Sequence, residues 1–391
     1  MRDIEQLSDD EKRIRAFLET HLVDDDGLVL SHVNVDTLKP WTADELAPYA
    51  APDLHFSNRE RFHEVLAYEN TLMATGEYAS SQVARFEATG EPDALVAAAR
   101  QVNAILGVYR EGEWHEKGYL PKPHGGMTRA RLSHQISPDQ YIKCVVALMD
   151  FRPHASPSQR RTIEAYLVAT ADYFLARNFT HPWRDCVMVT PRTIFHSLSL
   201  YVPMLRIAAN LTGEQRYLDA LRVMSDPLDT FLDENRRQPV YGVFNICSLL
   251  IEGFHLAITE GDDDPRRREC MNIIWELALS LIQDDGSAIF ADHQPLFTSR
   301  VLRLAPLAPW VETYFPDSDA TSKALDILRG IRDPLKMLYF YDNTNGHELP
   351  AEDAYQGRSI CETSVSGWLL GYWRLRSRRA KRENGGRSTS V

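Results

Sequence analysis

The sequence predicts an all-α fold, an inner ring of six helices held inside an outer ring of six, that is, an (α/α)6 toroid. Three observations predict it. First, one phrase recurs: an apolar helical stretch, a tight T-G-E or acidic turn, then an amphipathic helix. Phe195–Leu232, Glu69–Leu106 and Val243–Leu281 carry it, with turns at Thr212–Glu214, Ala88–Glu91 and Thr259–Asp264. A two-helix unit of this kind cannot bury its apolar face alone, so neighbouring units must stack. Second, the helices alternate between two kinds, apolar nearly all round and striped on one face. Third, runs of period two are confined to short pieces such as Leu28–Val35 and Leu338–Asp342, too little for a sheet.

In chain order, the first striped helix is Ser8–Val23. Its Ser-Asp-Asp-Glu start reads as a capping box, with Ser8 accepting from the third residue and Glu11 reaching back. A proline-bearing connector, Asp24–Phe56, predicts a short hairpin or a surface wrap. The apolar helices expected to be buried are His63–Phe86, Pro138–Phe151, Arg192–Leu211, Tyr241–Ile258, Thr298–Val311 and Ile360–Leu375. Between them lie the striped helices Pro92–Tyr109, Ser158–Arg177, Glu214–Asp233, Pro265–Gln283 and Ser318–Ile331. In Glu214–Asp233, for example, Tyr217, Leu221, Met224, Leu228 and Phe231 share a face. The count closes at six pairs only if Ser8–Val23 joins the last buried helix. An open solenoid would leave both unpartnered and would carry polar caps. Pro203 and Pro227 fall inside expected helices and should kink or break them.

Composition narrows the function. The 391 residues are 44% apolar and 25% charged, with a net charge of -12. That balance disfavours a nucleic-acid partner. The basic exception is Arg374–Arg387; residues 1–378 are expected to form one toroid domain and 379–391 a basic, disordered tail. The five cysteines, Cys144, Cys186, Cys247, Cys270 and Cys361, are scattered without a C-x-x-C pair, which indicates neither a zinc site nor a disulfide framework. The charged N-terminus lacks the apolar core of a signal peptide, and no run approaches the ~18 apolar residues of a membrane helix. A cytoplasmic protein with no membrane partner is the expectation; the oligomeric state is not readable. The acidic clusters Asp24–Asp26, Asp262–Asp264 and Asp284–Asp285 lack calcium-loop spacing and read as solvated turns. No phosphate loop, dinucleotide fingerprint, G-x-S-x-G or H-E-x-x-H occurs, so neither cofactor nor metal is expected.

The chemistry should gather at one end of the ring. Loops from an outer helix into the next inner helix are long (Arg110–Ser137, Asn178–Pro191, Glu234–Val240, Asp284–Phe297 and Arg332–Ser359), whereas the opposite turns are tight. Long loops in a compact domain are usually functional. The first contains Trp114, Tyr119, His124 and His134 and leads into Ser137-Pro138-Asp139-Gln140-Tyr141. Ser137 suits an N-cap, Pro138 the first helical position, and Asp139 then lies in the first turn. An Asp there can serve the helix dipole alone or can face the loop end as a functional acid. The second loop brings His181, Trp183, Arg184 and Asp185, followed by Arg192 and His196; the Arg–Asp pair also fits a salt bridge, and His196 a core histidine. Tyr241 and Asn245 open the fourth inner helix, Arg300 lies in the fifth, and Glu362 follows Tyr355 and Arg358 into the sixth. Glu69, alone in an apolar stretch, must be paired or functional. Carboxyls across a ring, aromatic faces and arginines make up the equipment of a carbohydrate site.

These residues also resemble a known group. The helical alternation, L-T-G-E-x-x-Y-L-x-A-L at Leu211–Leu221, and G-Y-L-P-K-P…S-P-D-Q-Y across Gly118–Tyr141 resemble the six-hairpin (α/α)6 glycosidase superfamily, in particular unsaturated glucuronyl and rhamnogalacturonyl hydrolases. The resemblance implies Asp139 as general acid/base, protonating a vinyl-ether sugar double bond to which water adds. The second aspartate of that group has no matching motif here; Glu69 and Asp185 are the candidates. The expected function is hydrolysis of a glycosidic bond in a small, uronic-acid-containing saccharide, with Trp114, Tyr119, His124, His134, Gln140, Trp183, Arg192, His196, Tyr241, Asn245 and Arg300 in substrate-binding roles. A toroid lyase working through Tyr241, Asn245, His196 and Arg192, a sugar epimerase, and a non-enzymatic binding toroid are the alternatives.

Overall fold

The two kinds of helix separate into two concentric layers. The computed structural model describes residues 4–49, 61–183, 186–188, 194–224, 227–237, 244–262, 264–282, 298–340 and 354–387. The chain begins with α1 (Ser8–Phe17), extended by a π-helical turn at Leu18–Leu22. Inner and outer helices then alternate as α2 (Thr71–Thr89) and α3 (Pro92–Gly112), then α4 (Pro138–Phe151) and α5 (Pro157–Ala176). The third pair is α6 (Val202–Thr212) with an outer helix split into α7 (Gln215–Met224) and α8 (Leu228–Arg237). The fourth is α9 (Phe244–Thr259) with α10 (Pro265–Ser280), and the fifth α11 (Ala308–Tyr314) with α12 (Ala320–Gly330). The last inner helix, α13 (Glu362–Arg387), packs against α2 on the inside and takes α1 as its outer partner.

Burial follows the apolar pattern. Every residue from Thr71 to Arg85 of α2 is buried, whereas α3 buries one stripe through Ala94, Ala98, Val102, Ile105 and Tyr109. Inner helices approach closely through small residues. A Cβ on Gly76 would lie 2.6 Å from the Lys143 carbonyl oxygen, and one on Gly253 2.4 Å from that of Leu198. The ring closes as the count required: Trp373 Nε1 donates to Glu11 at 3.0 Å and the Tyr78 hydroxyl to Glu19 at 2.6 Å, tying α1 to α13 and α2.

Several local expectations change. The first inner helix starts at Thr71, because the chain leaves the short helix Phe62–Leu66 through a turn at residues 67–70. The capping box at Ser8 is not made. A 3-10 turn, Glu5–Leu7, runs straight into α1, so Ser8 already has helical dihedrals, and Glu11 is drawn to Arg15 (2.8 Å) and Trp373 instead. Pro203 sits in the first turn of α6 and is preceded by a π-helical turn, Ser197–Tyr201; Pro227 lies at the division between α7 and α8. The fifth inner element is mostly a 3-10 helix, Ser299–Leu307, ahead of α11. Pro306 lies inside this segment, where its ring would clash with the carbonyl four residues back in a regular α-helix. The basic stretch that begins at residue 379 continues α13 to Arg387, with Arg379 paired to Glu383 (2.7 Å) and Lys381 to Glu87 (2.9 Å).

Strands are few. In the connector, β1 (Val33–Asn34) pairs antiparallel with a later strand; β2 (His181–Trp183) and β3 (Cys186–Met188) pair antiparallel in the second long loop; and β4 (Ser359–Ile360) is the partner of β1. Among the described residues, no helix is long and apolar enough to cross a membrane.

Candidate active site

The described parts of the long loops meet the N-termini of inner helices and bring three side-chain clusters together. The first is built on α4. Ser137 is its N-cap residue and Pro138 its first helical residue, as the sequence suggests, but the Ser137 hydroxyl turns to the Asp139 carboxyl rather than capping the helix. Asp139 also accepts from the Gln140 backbone N–H at 2.9 Å and stays half-exposed. Two imidazoles lie within its field. His181 comes from β2 and His196 from the residue before the π-helical turn, and their rings meet edge-on at 5.7 Å. Burial, opposed by the Asp139 charge, lowers His181 to about 4; burial and His181 lower His196 to about 4 against the same charge. Both rings are therefore neutral at neutral pH. His181 is buried, and its Nδ1 has no hydrogen-bond partner among the described residues.

The second cluster surrounds Glu69 in the turn before α2. Lys122 and His124 Nε2 (3.1 Å) engage its two oxygens, and Gln140 Nε2 donates to its backbone carbonyl at 2.6 Å. Burial pushes the carboxyl up, but Lys122 and His124 outweigh burial and hold it down at about 2. Glu69 is thus a permanent anion locked in an ion pair, and the pairing answers why a Glu stands in that apolar stretch.

The third cluster belongs to α13 and the connector. The Tyr339 hydroxyl lies 2.6 and 2.7 Å from the two oxygens of buried Glu362, and the His32 backbone N–H donates to the same carboxyl at 3.2 Å. His32 stacks flat on Tyr339 at 3.9 Å. Arg300 sits over the rings of Tyr339 (4.9 Å) and Phe340 (5.0 Å). Burial raises Glu362, and burial with Arg300 lowers His32 to about 3. Asn70 Nδ2 donates to the Tyr339 hydroxyl at 3.0 Å, so the adjacent residues Glu69 and Asn70 link the second cluster to the third.

One turn along α4 from Asp139, Lys143 is buried between Glu77 (2.9 Å) and Glu252 (2.7 Å), with Arg303 3.5 Å from Glu77 and Ser366 donating to it at 2.6 Å. This network joins inner elements across the ring. No group of three or more His, Cys, Asp or Glu side chains is placed to hold a metal ion among the described residues.

The structure thus gathers Asp139, Glu69, His124, Gln140, His196 and Arg300 of the sequence-derived set. Others stand apart. Tyr119 is buried, donating to the Ser133 carbonyl at 3.2 Å and packing on Tyr173. Trp114 is 73% exposed beneath Arg131, and exposed His134 meets His115 at 5.0 Å. Asp185, Arg192 and Tyr241 lie outside the described residues; Trp183 and Asn245 are placed on β2 and α9 by their backbones, and their side chains lie outside the description. Sequence reasoning missed Lys122, Asn70, Tyr339, His32 and the importance of Glu362. For Glu362 a signal existed, since the burial argument used for Glu69 applies equally to a Glu heading an apolar helix.

No family model matches the chain, and no curated protein matches it. Solved structures do. An unsaturated glucuronyl hydrolase specific for heparin overlays 98% of this chain and 97% of its own, with a TM-score of 0.55 at 10% identity. The chain is an (α/α)6 toroid. A polysaccharide lyase (TM-score 0.47, 14% identity, 83% of this chain and 97% of that one) and a family 88 glycosyl hydrolase from Bacteroides vulgatus (0.45, 13%, 78% and 91%) also match this toroid. At such identities the likeness speaks for the fold alone.

Proposed function

We propose that the toroid is a carbohydrate-active hydrolase that cleaves a glycosidic bond in a small saccharide containing a uronic acid. The observation that carries this reading is Asp139, a half-exposed carboxyl at the loop end of an inner helix, faced by two neutral imidazoles. A carboxyl so placed can deliver a proton to a glycosidic or vinyl-ether group and recover one from the attacking water. His181 and His196 orient that water and Asp139. Arg300 takes the substrate carboxylate. Glu69 does not shuttle protons; it holds Lys122 and His124 at the rim.

A second reading has its own observation. Neutral histidines beside an arginine also suit β-elimination, with an imidazole removing the proton next to a uronate carboxylate.

One experiment separates them. The protein is incubated with unsaturated uronide disaccharides from heparin and other acidic glycans, and with the intact glycans, while the ultraviolet band of the unsaturated sugar is followed. Hydrolysis of the disaccharides removes the band; elimination from the glycans creates it. Asp139→Asn is expected to slow band loss by roughly 10²–10⁴-fold. Turnover by Asp139→Asn equal to the parent's, or no change of the band with any substrate, would sink the proposal.

A further inference from the structure

Asn70 is held by more contacts than a turn residue requires. Its backbone N–H donates to the Ser31 hydroxyl at 2.9 Å, and its side-chain nitrogen donates to the Tyr339 hydroxyl at 3.0 Å. The direction of the second bond is set from behind. Tyr339 has one proton, and its oxygen lies 2.6 and 2.7 Å from the two oxygens of Glu362. In its ionised form, which the His32 backbone N–H and the Arg300 charge favour against burial, Glu362 only accepts, and the Tyr339 proton is then committed to it. The Tyr339 oxygen is left as an acceptor, and the Asn70 amide must turn its NH2 edge toward it. The planar amide then presents its carbonyl oxygen on the other edge. That oxygen has no hydrogen-bond partner among the described residues, and it is not among the polar atoms sealed from solvent. Asn70 is half-buried, beside Glu69 and one residue ahead of α2, so the free oxygen belongs to the candidate site.

We propose that Asn70 is a specificity-determining residue that accepts a hydrogen bond from a substrate hydroxyl, and that Glu362, acting through Tyr339, is the positioning residue that fixes the amide in the accepting orientation. This rests on the saccharide reading above, because it is a sugar that brings hydroxyl donors to the site. Glu362 is fully buried and does not touch substrate. Its replacement by Gln keeps the shape but supplies a donor, which frees the Tyr339 proton to point at Asn70 and lets the amide reverse.

Two measurements on the full chain test this. The first reads the lock without any activity. In protein carrying 15N-asparagine, the Asn70 side-chain NH2 signals are assigned by their disappearance in Asn70→Asp. Their exchange with water is expected to be at least tenfold slower than for solvated asparagines, and to speed up in Tyr339→Phe and Glu362→Gln at unchanged melting temperature. Free exchange in the parent overturns the lock. The second is calorimetry with an unsaturated heparin disaccharide as the probe, every protein, the parent included, carrying Asp139→Asn so that the probe is not cleaved. Asn70→Asp, which retains an acceptor, is expected to bind within about threefold of the parent, and Asn70→Leu and Glu362→Gln about five- to tenfold more weakly, the worth of one hydrogen bond. Equal affinity in all variants, with slow exchange in the parent, overturns the hydroxyl contact and leaves the function standing. Absence of binding by the parent to this and to every other disaccharide of the panel overturns the function and this contact together, while the exchange rates still decide the lock.

Discussion

At the scale of single residues, the site is organised by how each ionisable group is paid back for leaving water. Glu69 is compensated by the Lys122 ammonium and by its hydrogen bond with His124, and stays ionised down to about 2, below the ordinary 4.5. Because its folded value is depressed, the stability it contributes is present above pH 4.5 and is lost as pH falls toward 2. The difference amounts to about 3 kcal/mol as an order of magnitude. Denaturant midpoints measured between pH 6 and 3 should therefore fall more steeply for the parent than for Glu69→Gln; parallel curves would show that Lys122 and His124 do not hold the carboxyl. His181 and His196 are shifted the other way, from 6.5 to about 4, chiefly by burial. Cleavage that uses them as neutral groups should persist below the pH of an ordinary imidazole and decline only near pH 4. A pH–rate profile with its acid limb at 6 to 7 would show that they are solvated and take no part in that form.

At the scale of elements, helix ends carry the candidate site and helix middles carry the ring. α4 shows both roles. Its first turn presents Asp139, and its middle lies against α2 so closely that Gly76 has no room for a side chain: an added Cβ would stand 2.6 Å from the Lys143 carbonyl oxygen. Backbone cannot yield as a flexible side chain would. Gly76→Ala is expected to destabilise the protein by about 1–3 kcal/mol, because the two helices must part. Thermal or chemical denaturation checks this, and a variant as stable as the parent would mean the contact is looser than the geometry states. The π-helical turn after His196 works at the same scale. It changes the phase of the inner segment ahead of α6, and so sets which side the imidazole faces relative to Asp139.

At the scale of the whole molecule, closure and the central ion network act together. α1, the first helix in sequence, completes the sixth pair through the Trp373–Glu11 and Tyr78–Glu19 bonds. Across the middle, Lys143 stands between two glutamates from different inner helices, all three nearly inaccessible to solvent. Removing the ammonium leaves Glu77 and Glu252 to repel one another in a low-dielectric space. Lys143→Met should thus be destabilised by about 3–5 kcal/mol, and the loss should be smaller in a Glu252→Gln background, since one uncompensated charge is then gone. Equal losses in both backgrounds would show that Lys143 and Glu252 are not coupled.

The architecture was legible in the chain alone because it depends on patterns local to each helix. The burial of an all-apolar helix, the exposed face of a striped one, the tight T-G-E turns and the long opposite loops all follow from residues near one another in sequence, and the pair count then forces α1 onto α13. The place of Asp139 in the first turn of α4 was legible for the same reason, since S-P-D marks a helix start whatever surrounds it. The partners were not. Lys122 against Glu69, Tyr339 against Glu362 and His32, and Asn70 against Tyr339 are separated by 53, 23 and 269 positions or more than 300 between connector and last helix, as for His32 and Glu362 at 330. No local period records such pairings. Only the tertiary structure decides them, because the charge and hydrogen-bond state of a buried group depends on what the closed ring brings beside it.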